Sequence, residues 1–175
     1  LSSFKGALIS PPKIPSTKKA EDFLGQVYLG SDAESSPLFR LLAGGNLHIS
    51  SPWSFDIRSI DCFLLLYTKK GCGKLLLNSQ VYSLNADTLL LLDCGQRFRI
   101  DIAIAPWEYQ IAFISSDSLP YYRQLFPKER YSLIPASSYS EMSMCMEKLA
   151  VLTPGNSTAR KLMISSLINQ IVSGC

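Results

Sequence analysis

Residues 62–115 read CFLLLYTKKGCGKLLLNSQVYSLNADTLLLLDCGQRFRIDIAIAPWEYQIAFIS, and this stretch decides the fold. Turn residues divide it into six short apolar runs separated by connections of two to five residues. Connections of that length leave no room for crossover helices, so neighbouring runs are expected to pair as antiparallel strands of a sheet that closes to protect its edges. The stretch therefore predicts a small antiparallel barrel with strands at Cys62–Thr68, Lys74–Leu77, Val81–Leu84, Thr88–Leu92, Arg97–Ile104 and Trp107–Ser115.

Length and composition are typical of a globular protein with one core. The chain has 175 residues, of which 47% are hydrophobic and 18% charged, enough for about one domain. The net charge is +3 and no run of Lys or Arg could follow a phosphate backbone, so direct binding of nucleic acid is not expected. The Leu-rich runs stop at about eight residues, far short of the roughly twenty that span a bilayer, and the first residues lack the apolar core of a secretory signal. The sequence predicts a cytoplasmic protein without membrane contact.

Residue types that support catalysis or metal binding are scarce. The one histidine, His48, cannot by itself complete the multi-histidine site of a metal enzyme. No Gly-x-Ser-x-Gly, Walker or dinucleotide motif occurs. The five cysteines are odd in number and include no C-x-x-C pair, so we expect reduced thiols. The sequence therefore predicts no catalytic residue, no metal and no cofactor.

Alternation of residue types along the last two runs assigns their side chains to the two faces of the sheet. In Arg97–Ile104 every second residue is apolar and is expected to point into the barrel. In the run that follows, the same period places the aromatic residues inside. The predicted inner set is Phe98, Ile100, Ile102, Ile104, Trp107, Tyr109 and Ile111, and the predicted outer set is Arg97, Arg99, Asp101, Glu108, Gln110 and Ala112.

An interior lined by aromatic rings favours a binding pocket, although the same rings are equally consistent with a closed core. Trp53, Arg58, Tyr67 and Tyr109 could supply hydrogen-bonding groups to an otherwise apolar cavity. Aromatic faces cover the C–H surface of a sugar ring, and phenol, indole or guanidinium groups bind its hydroxyls, so a carbohydrate is one candidate ligand. The predicted ligand-binding residues are Trp53, Arg58, Tyr67, Phe98, Ile100, Trp107, Tyr109 and Ile111.

Two amphipathic helices are expected after the barrel. Ser138 and Glu141 form a capping-box pattern for a helix that runs to about Leu152, and Asn156 or Ser157 caps the second helix. The second helix carries an apolar stripe broader than one neighbour covers, which predicts a homodimer. The alternative is that the first helix and the barrel wall cover the stripe in a monomer. The predicted interface residues are Ile164, Leu167, Ile168 and Ile171.

The order and spacing of several short segments resemble the cupin-type sensor domain of AraC-family transcription regulators. The segments in the barrel stretch are Asp61–Thr68, Gly71–Gly73, Val81–Leu84, Leu91–Gly95 and Trp107–Tyr109; Ala43–His48 and Arg58 precede them and Tyr121–Tyr122 follows. The resemblance covers residues 43–172. It implies a mainly β chain, a cupin-like double-stranded β-helix followed by two α-helices. The implied divisions are an N-terminal arm and entry segment (1–42), an effector-binding barrel (43–118) and a helical dimerisation segment (119–175).

The resemblance also implies a function. In the family, a small-molecule effector in the barrel biases how the arm, barrel and dimer helix hold helix-turn-helix units that contact DNA, and those units are expected outside this chain. Phe98, Ile100, Tyr109 and Ile111 fall on positions that line the family's effector pocket. Some members carry histidine where this chain has Phe98 and Tyr109, so its pocket is expected to be more apolar than that of a typical sugar sensor.

Two other classes of protein remain open. A free-standing cupin enzyme would contain iron, manganese or zinc in stoichiometric amount. A carbohydrate-binding β module of a secreted protein would carry surface aromatic platforms and disulfides. Bound metal discriminates in favour of the enzyme, and a helix-turn-helix pair encoded after these residues discriminates in favour of the regulator.

Overall fold

The computed structural model describes residues 8–10, 23–29, 36–126, 130–135, 140–152 and 157–175. In these residues, nine strands form one antiparallel sheet, and three helices lie in the C-terminal third of the chain. The strands are β1 (Leu8–Ser10), β2 (Phe23–Leu29), β3 (Arg40–Ile49), β4 (Ser54–Ile57), β5 (Phe63–Leu77), β6 (Gln80–Asn85), β7 (Thr88–Asp93), β8 (Phe98–Ser115) and β9 (Tyr131–Pro135). The helices are α1 (Leu119–Leu125), α2 (Ser140–Val151) and α3 (Thr158–Gly174).

Two long strands organise the sheet. β5 and β8 pair with each other from Phe63 opposite Ile114 to Leu77 opposite Phe98, and register shifts between Thr68 and Gly73 mark a bend. The halves of each strand therefore belong to two layers. The first layer has the order β2-β3-β8-β5-β7-β9 and the second has the order β1-β4-β8-β5-β6. The predicted fold class is confirmed: the chain is a cupin-like antiparallel barrel with C-terminal helices.

The bend corrects two predicted turns. Lys69–Gly73 and Ala105–Pro106 lie inside the continuous strands β5 and β8, not between strands. Gly71 has a φ of +77°, and a Cβ at this position would lie 2.2 Å from the carbonyl oxygen of Pro106. Glycine therefore lets the two bent strands approach each other here. Glycine and proline mark a bulge at this place, and a bulge leaves the same signal in a sequence as a turn.

The face assignment along β8 is confirmed at the positions on which the pocket hypothesis rests. The arginines on either side of Phe98 are exposed, and the aromatic residues point inward. Ile104 is an error in the predicted inner set, because it lies at the bend and is exposed. Ile102 is partly buried against the inner cluster. The residues confirmed as buried are Phe98, Ile100, Trp107, Tyr109 and Ile111.

Helices α2 and α3 cover the outer face of the first layer. Residues of β3, β5, β7 and β8 on this face form a second apolar cluster with the two helices. The four residues predicted to form an interface between copies lie in this cluster and are at most 8% exposed. Their own chain covers them, so the prediction that a second copy does so is corrected. The four are Ile164, Leu167, Ile168 and Ile171.

The helix boundaries agree with the sequence-based expectation. α2 ends at Val151, and Ser157 caps α3 by accepting a hydrogen bond from the Arg160 N–H at 3.2 Å. Ser138, the predicted cap of the first helix, lies outside the described residues. In the described part of the chain, no helix is long and apolar enough to cross a membrane.

Segments on both sides of the predicted barrel also pair in the sheet. β2 pairs along its full length with β3, although both begin within the predicted arm and entry segment. β9, which the sequence did not predict, pairs with β7 from Tyr131 opposite Leu92 to Pro135 opposite Thr88. Apart from Leu8–Ser10, the predicted arm at residues 1–20 lies outside the described residues.

Candidate ligand-binding site in the barrel

The barrel interior brings together six of the eight predicted ligand-binding residues. Five belong to the inner apolar cluster, and Trp53 packs against it. Leucines of β3, β5, β6 and β7 supply much of the remaining surface of this cluster. The interior is therefore almost wholly apolar. The five residues are Phe98, Ile100, Trp107, Tyr109 and Ile111.

The other two predicted residues, Arg58 and Tyr67, lie outside the interior. Tyr67 shares its face of β5 with Phe63 and Leu65 and packs against the helix-side cluster. Its hydroxyl donates to Asp87 Oδ1 at 3.2 Å, and burial together with this carboxylate raises the pKa of Tyr67. Arg58 is exposed in the segment after β4. Both predictions relied on residue type rather than on strand face, and the structure corrects them.

Trp107 lies at the centre of the inner aromatic group. Its ring stacks on Tyr109 with centroids 4.0 Å apart and an interplanar angle of 26°. Its Nε1–H donates to Thr68 Oγ1 at 3.3 Å. A Cβ on Gly73 would lie 2.4 Å from Cζ2 of the Trp107 ring, so the ring rests on the bare backbone of that glycine.

Trp53 approaches the same region from the second layer. Its ring packs against Phe55 with centroids 5.0 Å apart. The Trp53 carbonyl accepts a hydrogen bond from the Ile102 N–H at 3.2 Å, and Ile102 pairs with Gly73. Trp53 is thus two strand spacings, about 10 Å, from the glycine on which the Trp107 ring rests.

Two buried polar groups of this interior have no hydrogen-bond partner among the described residues. They are the Tyr109 hydroxyl and the Trp53 Nε1–H. An unpaired buried donor costs roughly 1–3 kcal/mol, so folded proteins seldom leave one without a purpose. Burial raises the pKa of Tyr109 well above its ordinary value, so the phenol keeps its proton and can donate. Each group can donate one hydrogen bond that no described residue accepts.

Two other buried atoms of the described residues are also unpaired, but they lie elsewhere. Gln110 Oε1 is on the outer face of β8, where the amide nitrogen of the same side chain donates to Asn46 Oδ1 at 2.9 Å. Arg40 Nε is at the start of β3, and Nη2 of this arginine lies 3.8 Å from Asp117 Oδ1. Neither atom adds a polar group beside Tyr109.

Charge is absent from the interior as far as the described residues extend. Asp93 is the charged residue that is buried among them, and it lies at the end of β7 beside Arg123 and Arg130. Every described Lys, Arg and His retains contact with solvent. No three His, Cys, Asp or Glu side chains in the described part of the chain are placed to hold a metal ion. The site is suited to binding an apolar molecule through a small number of hydrogen bonds.

The inner face along β3 and the C-terminal half of β8 keeps slight contact with solvent. Four inner-face residues there keep 6–8% exposure, whereas Trp107 and Tyr109 keep 0% and 1%. Ile102 and Trp53 in the second layer are partly exposed, more than these four, so solvent approaches the inner cluster from both layers. The four residues are Ala43, Leu47, Ile111 and Phe113.

Sequence reasoning missed Thr68 and Gly73 as parts of the site. Thr68 is fully buried and alternates with Leu64 and Leu66, so period two could have placed its hydroxyl inside. The leucines that occupy both faces of this run hid the alternation. The sequence predicts a turn at Gly73, and no local signal indicates that an indole ring packs against its backbone.

Comparison with known proteins supports the fold and little beyond it. No protein-family model matches the chain, and no curated protein matches it. Among solved structures, the AraC-like transcriptional activator CuxR is similar with a TM-score of 0.58 at 11% identity, over 98% of this chain and 64% of that chain. YhaK from Escherichia coli is similar with a TM-score of 0.50 at 9% identity, over 64% of this chain and 51% of that chain.

The present chain thus spans 64% of CuxR, less than two thirds of its length. ToxT from Vibrio cholerae also matches, at 14% identity over 87% of this chain and 55% of that chain, but its TM-score of 0.49 is too low to carry an argument. At 9–14% sequence identity, the similarity to these structures shows the fold alone. The resemblance to the cupin-like domain of an AraC-type regulator is confirmed at the level of the fold.

Proposed function

We propose that this chain is the effector-sensing domain of an AraC-like transcription regulator. The observation that carries the proposal is the pair of unpaired buried donors, Tyr109 Oη–H and Trp53 Nε1–H, in an otherwise apolar interior. A closed core gains nothing from such donors, whereas a binding site uses them to orient a ligand. The proposal assigns no catalytic step to the chain, and it goes with a cytoplasmic location.

The likeness to CuxR supports the regulatory part of the proposal, because that protein is described as a transcriptional activator and shares this fold along nearly the whole present chain. The effector would be a small molecule, for which the aromatic residues of the sequence suggest a carbohydrate as one candidate to be tested. DNA would be contacted through a helix-turn-helix domain outside these 175 residues. A ligand that binds one arrangement of barrel and helices better than another shifts the population between them.

The proposal is tested by a thermal-shift screen of metabolites against residues 1–175. A ligand at about a hundred times its dissociation constant should stabilise the fold by roughly 2.7 kcal/mol. Tyr109→Phe and Trp53→Phe should each reduce that shift. Tyr121→Phe removes the same hydroxyl from an exposed tyrosine and should leave the shift unchanged. A ligand whose thermal shift is unchanged by both Tyr109→Phe and Trp53→Phe would show that it does not bind in the interior.

We also propose that the chain forms a homodimer, through the solvent-facing sides of α2 and α3. Of the eight exposed large apolar side chains among the described residues, four lie on these two helices. Leu162 and Met163 are 51% and 55% exposed on α3, and Met144 and Val151 are exposed on α2. Because Ile164, Leu167, Ile168 and Ile171 are covered by their own chain, self-association would leave those four positions unchanged.

Leu162→Glu combined with Met163→Glu should convert the dimer to a folded monomer in sedimentation. Both side chains face solvent, so the free energy of unfolding of the monomer should change little, by at most about 0.5 kcal/mol per site. Val81→Glu is the matched control, because Val81 is equally exposed but lies on β6 in the second layer. A wild-type chain that sediments as a monomer, or a double variant that stays dimeric, contradicts this interface.

A further inference from the structure

We infer that the effector is an uncharged, mainly apolar molecule that carries a hydrogen-bond acceptor oxygen, such as a ketone or an ester. The part of the interior that the structure describes does not fit a carboxylate or a sugar. The inference rests on the proposed function, since it concerns the ligand of the same site. Three properties of the described inner residues carry it: the kind of polar group left unpaired, the absence of a counter-charge among them, and the scarcity of polar groups among them.

The unpaired groups require a hydrogen-bond acceptor. An indole N–H donates and cannot accept, so whatever satisfies Trp53 Nε1–H must bring a lone pair. The Tyr109 hydroxyl is held in its protonated form by burial and can donate as well. Thr68 Oγ1, the other buried hydroxyl of this region, already accepts from the Trp107 Nε1–H. A ligand with an acceptor oxygen can therefore accept a hydrogen bond from these donors, and a pure hydrocarbon cannot.

Among the described residues, no cation faces the inner side close to these donors, and this argues against a carboxylate there. On the inner side of β3 the nearest cation along the strand is Arg40, which is paired with Ser115, whereas Tyr109 is paired with Leu47. Six residues of strand separate the two pairs, or roughly 20 Å at 3.3 Å per residue. An ionised carboxylate near Tyr109 would thus be buried among leucines without a partner charge from the described residues, which is strongly unfavourable.

The scarcity of polar groups argues against the carbohydrate that the aromatic residues suggested. Each hydroxyl of a sugar needs its own partners when water is removed. Tyr67 and Arg58, which the sequence assigned to that task, lie outside the interior. The remaining inner surface consists largely of Leu, Ile and Phe side chains. A molecule with one or two polar oxygens matches the two unpaired donors and the apolar inner surface, and a polyol does not.

The test compares four probes: acetophenone, ethylbenzene, benzoate and D-glucose. The first three share a phenyl ring and differ in whether they carry a neutral acceptor, no acceptor or a charge. Binding is measured by thermal shift and by quenching of the emission of the two tryptophans of the chain, Trp53 and Trp107. Acetophenone should bind about threefold to tenfold more tightly than ethylbenzene, the gain of about one neutral hydrogen bond. Benzoate should bind at least roughly tenfold more weakly than acetophenone, and glucose should not bind.

Substitutions connect the preference to the two donors. Tyr109→Phe and Trp53→Phe should each reduce the advantage of acetophenone over ethylbenzene while leaving ethylbenzene binding nearly unchanged, and Tyr121→Phe should alter neither ligand. Benzoate or glucose binding as tightly as acetophenone, with the preference insensitive to Tyr109, overturns the ligand class but leaves a sensing role intact. A ligand from the broader screen that is charged or rich in hydroxyls would likewise overturn the ligand class and leave the sensing role intact. If neither the probes nor the broader screen yields a ligand, the proposed sensing function itself fails.

Discussion

Asp93→Ala is expected to lower the free energy of unfolding by about 3 kcal/mol, because it removes a buried carboxylate that accepts charge-assisted hydrogen bonds from Arg123 and a backbone hydrogen bond from Gly95. Asp93 is 1% exposed at the end of β7. Its two carboxylate oxygens accept hydrogen bonds from Arg123 Nε at 3.2 Å, and one also accepts from the Gly95 N–H at 3.0 Å. The carboxylate thus holds α1 and the β7 turn against the end of the barrel. Urea unfolding of the variant measures the loss.

Asp61→Ala is the matched control for this prediction, because Asp61 contacts the same guanidinium from the solvent side. Arg123 Nη2 lies 2.6 Å from Asp61 Oδ1, but the Asp61 side chain is 83% exposed. An exposed pair contributes at most about 1 kcal/mol, so Asp61→Ala should cost far less than Asp93→Ala despite the shorter distance. Equal losses in the two variants would falsify the assignment of the stabilising role to burial.

The strand faces could be predicted where only one face of the sheet is apolar. From Arg97 to Asp101, charged and apolar residues alternate strictly, and the structure places each on the expected side. From Phe63 to Leu66 every residue is buried, because the barrel interior lies on one side and the helices on the other. The alternation disappears there, which is why Tyr67 could not be placed by its residue type.

An apolar stripe on a helix predicts that something covers it, and does not say whether the cover belongs to the same chain. The stripe on α3 is broad because α2 covers part of it and the outer face of the first layer covers the rest. Whether the chain covers its own stripe depends on Phe63, Leu65 and Leu91, which lie on that outer face. The sequence pattern assigns the runs that contain these residues to the barrel core. The identity of the cover is therefore a property of the assembled fold.

The unpaired donors were also beyond the reach of sequence reasoning. The sequence identifies Tyr109 and Trp53 as residues that can form hydrogen bonds. Their importance is that neither polar group has a partner among the described residues. Whether a group has a partner depends on all of its neighbours in the folded chain. Trp107 has an indole of the same kind, and the hydroxyl of Thr68 satisfies it. Residue type thus predicts the capacity for a hydrogen bond, and only the packed structure distinguishes a satisfied group from an available one.

Trp107→Ala is expected to destabilise the fold by about 3–5 kcal/mol, the usual cost of deleting a fully buried aromatic ring. The ring is 0% exposed, stacks on Tyr109 and donates to Thr68. If it formed merely the wall of an open pocket, the substitution would reduce ligand affinity and leave most of the stability in place. Thermal and urea unfolding in the absence of ligand distinguish the two cases.

A double-mutant cycle with Gly73 tests the packing itself. In the wild type, Gly73→Ala places a methyl group 2.4 Å from the Trp107 ring and should cost about 1–3 kcal/mol through overpacking. In the Trp107→Ala background the clash is gone, and the same substitution should be neutral or stabilise by about 0.5 kcal/mol through the unfolded chain. Gly71→Ala is the control: its φ of +77° and the Pro106 carbonyl 2.2 Å away make it costly in either background. A Gly73→Ala cost that persists without the ring would show that the indole does not rest on this glycine.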